Sequence, residues 1–443
     1  MQAVADIAGE NVVAIRSDEQ AAAARDKVKQ LLRRPLTASA AVRVALLNNR
    51  GLQAAYNELG IAEAETVKAS LPPSPTLSLQ RISGNVEVEV ERRIVADILA
   101  LATLPARAEI AAERFREAQL RAAQETLRVG AEARRTFYRS VAALELVDFL
   151  EQGTSTAQTA SALATRLGES GALNKLDQAR EQVFYAEITA QLAKARQQAA
   201  SEREGLIRAL GLWGEDITFK LPHTLPPLPA RPRTLPAVET QSVTRRIDLQ
   251  IGRIELAALA KSYGLTDATR FINLLNVSAV SKTTDRKPTV ENPVGEHIRD
   301  LGPDVEFQIP LFDFGEVRLR TAEQSYMQAV NRLVEMAVNA RSQARQAYQT
   351  YRSAYDIAAH YRNEVLPLRK IISDETILRY NAMMIDVFGL LTEARERTAS
   401  TGNAIEAERD FWLASVDLDD AILVGSRNVT GPSQASVDPS NNQ

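Results

Sequence analysis

Two stretches of this sequence are too long and too free of helix breakers to belong to an ordinary globular domain. The first runs from about residue 106 to 212. No proline interrupts it between Pro105 and Pro222, and Ala, Arg, Glu, Gln and Leu, all strong helix formers, dominate it. The second runs from about residue 316 to 423 and holds a single proline, Pro367. The roughly 60 residues before Gly168 and Gly171 would form a rod of roughly 90 Å at about 1.5 Å per residue. Such rods fit helical hairpins projecting from a base. Thr165 to Asn174 would turn the first hairpin, with Gly168 and Gly171 supplying permissive backbone. Leu378 to Asp386 holds the corresponding place in the second. It has no glycine, so the turn there calls for Asn381 or a longer loop.

Each long stretch follows a shorter helix and then strand-like sequence. Ala40 to Ala69 reads as a helix, stopped by Leu71-Pro-Pro-Ser-Pro75. Residues 76–80 and 86–91 then alternate, with valines on one face of the second and Glu87, Glu89 and Glu91 on the other. In the second half Val243 to Thr269 reads as helix. Residues 275–279 and 305–309 alternate, and the polar segment Lys282 to Gly302 between them reads as a long exposed loop. The halves therefore repeat, with Arg107, Ala133 and Arg134 falling over Arg318, Ala344 and Arg345. The expected organisation is an N-terminal extension (1–36), a first repeat (37–214, strands about 75–98), a proline-rich linker (215–238), a second repeat (239–425, strands about 272–312) and a polar tail (426–443). The fold class is mainly α with a small β part.

Composition closes off several functions. The net charge of -3 argues against nucleic acid, which needs a basic surface. There is no cysteine, hence no disulfide, thiolate metal site or cysteine nucleophile. The three histidines, His223, His297 and His360, are far apart. No nucleophile elbow, phosphate loop, HExxH or paired-Cys pattern occurs. An enzyme is therefore not expected, nor a cofactor, nor a metal site. No stretch reaches the roughly 18–20 apolar residues of a membrane helix. Met1 to Gln20 lacks a basic region followed by an apolar run, so no secretory signal is visible.

Four amphipathic strands can be a half-buried sheet or part of a membrane barrel. Four cannot close a barrel, but three copies give about twelve, within the known range. The same symmetry would wrap the rods into a helical cylinder. In that arrangement Glu87, Glu89, Glu91 and Glu306 face the lumen and favour cations.

The segment Gly302-Pro-Asp-Val-Glu-Phe-Gln-Ile-Pro-Leu-Phe-Asp-Phe-Gly-Glu-Val-Arg318 resembles the strand-to-helix pattern of the TolC-like outer-membrane efflux family. Pro310 would end the ladder and Gly315 would permit the change of direction from barrel to tunnel. Gly171-Ala-Leu-Asn-Lys-Leu-Asp-Gln-Ala179 is similar to the family's hairpin tip, and the resemblance covers about residues 37 to 425. Arg379-Tyr-Asn-Ala-Met-Met-Ile385 and Arg409-Asp-Phe-Trp-Leu413 are most similar to its branch associated with copper or other heavy-metal tolerance. The resemblance implies a homotrimer with a twelve-stranded barrel in outer-membrane lipid and a periplasmic α-helical tunnel. It implies docking to a periplasmic adaptor (membrane fusion) protein and an inner-membrane pump of the resistance–division (RND) or ABC type, which supplies the energy for export of small molecules or metal ions. Gly168, Ser170, Gly171, Ala172, Leu173, Asn174, Met383 and Met384 would form the docking tip. In the family an interhairpin network closes the tip. Asp177 and Tyr380 match two of its members, Ile385 stands at the arginine position, and Arg379 or Asp386 could substitute.

Tyr348, Tyr351 and Tyr355 share one helical stripe, which reads as packing in preference to a ligand-stacking box. Trp213 and Trp412 are expected to pack near the ends of the return helices. Met383 and Met384 suit an adaptable apolar contact. The competing reading is a soluble coiled-coil scaffold or adaptor, which leaves the amphipathic strands unexplained.

Overall fold

The structure, a computed structural model, describes residues 4–5, 13–171, 173–288 and 294–425, except the side chains of Val387 and Phe388. The polar tail, Ala172 and much of the first twelve residues lie outside this set. The chain divides into two compact units. One comprises Met1–Tyr56, Ala122–Leu249 and Ala337–Gln443; the other comprises Asn57–Arg121 and Gln250–Met336.

The elements run α1 (Asp18–Leu32), α2 (Ala38–Asn48), α3 (Arg50–Ser70), β1 (Thr76–Ser83), β2 (Glu87–Asp97), α4 (Ile98–Ala102), α5 (Leu104–Glu169) and α6 (Lys175–Leu210). After the linker come α7 (Val238–Arg245), α8 (Ile247–Ala268), β3 (Leu274–Arg286), β4 (Glu296–Gln308), α9 (Glu316–His360), a π-helical turn (Tyr361–Val365), α10 (Leu366–Asn381) and α11 (Val387–Leu423). The second half repeats the first, down to its caps. Asn174 accepts the Asp177 N–H at the start of α6, and Asp386 accepts the Gly389 N–H at the start of α11. The repeat departs at Pro367. Its ring would meet the carbonyl of residue 363 in a regular helix, and it has no N–H to donate. The π turn widens the helix just before it.

Three sequence expectations need correction here. The helix read over Ala40–Ala69 is broken at Asn49, because Asn48 and Asn49 turn their amides onto the carbonyls of Gly211 and Ala209, capping α6. The helix read over Val243–Thr269 is broken at Arg246. That side chain is 2% exposed and makes a bidentate pair with Asp248 while bonding Gln343. Trp213 is exposed, since the left-handed turn at Gly211 carries it off the end of α6.

In the first unit the hairpin helices enclose two apolar clusters. Tyr351, Tyr355, Ala358, Phe411, Ala414 and Leu418 form the heart of one. Trp412 stacks on Tyr138 at 5.2 Å. The proline-rich linker is strapped over this cluster through its backbone carbonyls. Pro226 accepts from the Trp412 indole N–H, Leu228 from Arg362, and Pro229 and Ala230 from the Tyr355 hydroxyl. Val147, Leu150, Phe184, Ile188 and Leu192 form the second cluster.

The second unit holds one antiparallel sheet in the order β1-β2-β3-β4. β3 and β4 have 13 residues each. They extend well into the segment read from sequence as a loop over Lys282–Gly302. Polarity suggested a loop, yet the polar residues pair across strands, Lys282 with Glu89 and Arg286 with Glu87 and Glu296. Pro303 lies within β4, opposite Ala279 of β3. Beside the sheet, Lys261 of α8 lies 3.2 Å from Glu113 and 3.5 Å from Glu109 of α5. No helix among the described residues is long and apolar enough to cross a membrane.

Candidate functional site

The sheet has two chemically distinct faces, set by the alternation of side chains along each strand. The register places Leu77, Ile94, Ala279 and Pro303 in one row, Val277 opposite Val305, and Leu275 opposite Phe307. These residues share a face with Leu79 and Leu301. Leu77, Leu79, Leu301 and Phe307 are 63%, 69%, 75% and 62% exposed. The rows run from 275 to 281 on β3, roughly 20 Å at about 3.3 Å per residue, the last setting Leu79 and Leu301 beside Arg92 and Ser281. Beyond them the same face turns polar, with Arg299, Asp285 and His297, the last two hydrogen-bonded to each other.

The opposite face carries Glu87, Glu89 and Glu91, and none of them is a free anion. Lys282 lies 2.7 Å from Glu89, Arg286 3.4 Å from Glu87, and Arg93 3.1 Å from Glu91. The excess of negative charge falls on β4. Glu296, Asp300, Asp304 and Glu306 line the same face. Glu306 accepts a hydrogen bond from Asn276, which brings no cation, and Asp304 accepts one from Ser278 and lies 3.8 Å from Arg93, which it shares with Glu91.

At the base of the sheet β4 ends at Gln308, and residues 310–315 lead the chain into α9. The Phe314 N–H bonds the Pro310 carbonyl, and the Asp313 carboxylate accepts the Gly315 N–H. Phe314 and Gly315 both take left-handed backbone, with φ of 47° and 76°.

At the hairpin tips Gly168 lies in the last turn of α5. The Ser170 hydroxyl bonds the Leu167 carbonyl, and Gly171 has φ of 75°. The Leu173 N–H bonds the Leu167 carbonyl, and Asn174 caps α6. The second tip turns at Met383, which has φ of 58°, and not at Asn381, which remains the last helical residue. The Met384 N–H reaches back to Arg379 O and the Met383 N–H to Tyr380 O, the paired bonds of a Schellman closure. Met383 and Met384 are 93% and 73% exposed.

The residues matched to an interhairpin network bond locally. Asp177 is held by Asn174 at 2.6 Å and Arg180 at 3.1 Å, all within its own helix start. Arg379 pairs with Glu375, and Asp386 is an N-cap. Among the described residues no hydrogen bond joins Asp177 to Tyr380.

The contact that does join the two hairpins near the tips escaped the sequence reading. Leu391 and Ala394 of α11 pack into the apolar cluster of the first hairpin. The Arg395 guanidinium lies 4.9 Å from the Phe184 ring centre and 3.9 Å from Glu187, and donates to the Arg180 carbonyl. Glu181 is buried beside it, and that burial raises its carboxyl above the ordinary range. A signal was present. Glu181 stands on the stripe shared by Phe184, Ile188, Leu192 and Ala195, a carboxylate in an otherwise apolar row. Among the described residues no group of three or more His, Cys, Asp or Glu is placed to hold a metal ion.

No protein-family model and no curated protein matches the sequence. Solved structures do match the fold. The chain is similar to the outer-membrane channel OprN, with a TM-score of 0.70 and 16% identity over 95% of this chain and 96% of that one. It is similar to CusC, described for its transmembrane channel formation, with a TM-score of 0.69 and 17% identity over 90% and 92%. It is also similar to the Campylobacter jejuni CmeC outer membrane channel, with a TM-score of 0.69 and 14% identity over 87% and 85%. At these identities the likeness is one of fold.

Proposed function

We propose that the chain is one subunit of an outer-membrane efflux channel. In this reading β1 and β4, the open edges of the sheet, pair with neighbouring copies. Three copies close about twelve strands, within the range of known membrane barrels. The hairpins then continue as a helical tunnel in the periplasm. The duct is passive and catalyses nothing. An inner-membrane pump, coupled through a periplasmic adaptor at the hairpin tips, drives small molecules or metal ions through it.

The exposed apolar rows on one face of the sheet carry this reading. With polar side chains on the opposite face, they have the apolar-out, polar-in alternation of an outer-membrane barrel with a wet lumen. A soluble scaffold would leave Leu77, Leu79, Leu301 and Phe307 in water at more than half exposure. The fold shared with OprN, CusC and CmeC supports the same conclusion.

Membrane fractionation with planar-bilayer recording tests it. The expected result is a heat-modifiable oligomer in the outer membrane that forms pores after purification. A monomer in the soluble fraction that forms no pores overturns the proposal.

A further inference from the structure

The two faces of the sheet treat their cations differently. On the face of Glu87, Glu89 and Glu91, each basic side chain of the strands meets a carboxylate of the chain. Lys282 pairs with Glu89, Arg286 with Glu87 and Glu296, and Arg93 with Glu91 and Asp304. The face of the apolar rows carries three arginines, Arg81 on β1, Arg92 on β2 and Arg299 on β4. All three are exposed, and among the described residues none of them makes an ion pair or a side-chain hydrogen bond. The one carboxylate on the strands of this face, Asp285, is hydrogen-bonded to His297. The chain as a whole carries a net charge of -3, so these arginines are not part of a general excess of base. Arg81 lies opposite Val90, which makes Arg92 its diagonal neighbour on the same face, about 7–8 Å away. Arg299, opposite Thr283, stands in the same row as Arg81. The strands join helices at Thr76, Asp97, Leu274 and Gln308, and the arginines lie toward the other end, at the edge of the apolar rows nearer the hairpin connections.

We propose that Arg81, Arg92 and Arg299 form a collar that binds the phosphate groups of a membrane lipid, in the leaflet on the side of the hairpin connections. The proposal rests on the reading above, in which this face of the sheet meets lipid. An arginine on the lipid face of a barrel is costly at the bilayer midplane and nearly free at its edges. The arginine rows therefore mark the level at which hydrocarbon gives way to headgroups. A guanidinium there finds phosphate oxygens, which it binds with two parallel N–H donors. Like charges at neighbouring positions of one face repel, and an anion between Arg81 and Arg92 relieves the repulsion. The adjoining rows identify the occupant as a lipid in preference to free phosphate. Leu79, Leu77 and Ile94 lie beside the arginines, two of them well over half exposed, and give acyl chains apolar surface next to the charges. A free phosphate would use the charges alone.

Native mass spectrometry of the full-length protein in detergent tests the collar. The probes are diphosphoryl lipid A, the same lipid with its phosphates removed, and inorganic phosphate. The phosphorylated lipid is expected to bind more tightly than its dephosphorylated form, and inorganic phosphate at equal concentration should not displace it. At about fivefold for each basic residue near an anionic surface, Arg81→Gln, Arg92→Gln and Arg299→Gln combined should weaken the phosphorylated lipid roughly a hundredfold. The dephosphorylated lipid should be unaffected. The single variants, each expected to lose about fivefold, give the same readout if the combined variant folds poorly. Arg286→Gln, on the opposite face, should leave the preference unchanged. Equal binding of the two lipids, a preference that survives in the combined variant, or displacement by inorganic phosphate overturns the collar. A combined variant that falls apart into single chains assigns the arginines to contact between copies and overturns it as well. Planar-bilayer recording on the same preparation separates the two proposals. A parent protein that forms pores yet shows no phosphate preference overturns the collar alone, while absence of any pore overturns the channel reading and the collar's place at a membrane with it.

Discussion

Replacing Gly315 with alanine asks whether the change of direction from β4 into α9 depends on a residue without a side chain. Gly315 has φ of 76°. A Cβ there would lie 2.2 Å from the carbonyl oxygen of Arg270 and 3.0 Å from its carbonyl carbon. Two costs add. Left-handed backbone costs a residue with a Cβ roughly 1–2 kcal/mol. The obstructing atoms are backbone and cannot rotate aside, so the Arg270 segment itself must shift, and forced overpacking typically costs about 1–3 kcal/mol. G315A should therefore lose roughly 2–5 kcal/mol. Far-ultraviolet circular dichroism of the detergent-solubilised protein reads the unfolding midpoint, or the unfolding rate at fixed temperature where unfolding is irreversible. Two internal comparisons isolate the cause. A Cβ added at Gly302 or Gly264 meets nothing within 4 Å. G302A should stay within about 0.5 kcal/mol of the parent, and G264A, in the interior of α8, should gain up to about 1 kcal/mol. If G315A unfolds alongside G302A, the turn does not depend on the missing side chain and the argument is wrong.

Arg246→Ala strands Asp248, which is 6% exposed, so it should cost roughly 3–5 kcal/mol by thermal unfolding. Replacing both partners with apolar residues should cost less than replacing the arginine alone. In single-channel reversal potentials, Asp300→Asn with Glu306→Gln should reduce cation preference more than Glu87→Gln, because Arg286 already pairs with Glu87. Equal effects would place the field on β2 instead of β4. Glu408 is raised by burial and by the facing Glu145, with Arg362 opposing, so its ionised form weakens the fold as pH rises. Glu408→Gln should raise the unfolding midpoint near neutral pH, and the gain should vanish as pH falls toward the ordinary carboxylate value of 4.5.

The parts of this fold legible in the sequence are those whose signal accumulates along the chain. Helix propensity and the absence of proline add over the 66 residues of α5, so its existence needs no tertiary information. Gly171 marks its turn for the same local reason. The reading fails where a partner distant in sequence decides. Lys282 to Arg286 looked like loop because they are polar, and they are strand because Glu87 and Glu89 wait across the ladder. Asn381 looked like the left-handed residue of the second tip by tolerance. The helix closes two residues later, where the Met383 and Met384 N–H groups reach the last free carbonyls, and hydrogen-bond closure outweighs the strain at Met383. The linker's grip on Tyr355 and Trp412 runs through backbone carbonyls, which leave no pattern in side-chain chemistry.

The candidate site follows the same division, and this explains why the residues matched at the tips bond locally. Asp177, Asn174 and Asp386 are the residue types that helix N-termini select, and helix starts are what they serve here. Contact between hairpins is instead decided by which side chains the apolar stripes bury. A carboxylate within such a stripe is costly unless it is paired and hydrogen-bonded. Glu181 is that residue on α6, and Arg395 is the group brought to it from the other hairpin. Its position among Phe184, Ile188 and Leu192 carries a desolvation cost that an exposed polar residue at the tip does not, which is why the contact between hairpins shows in the stripe and not at the tip.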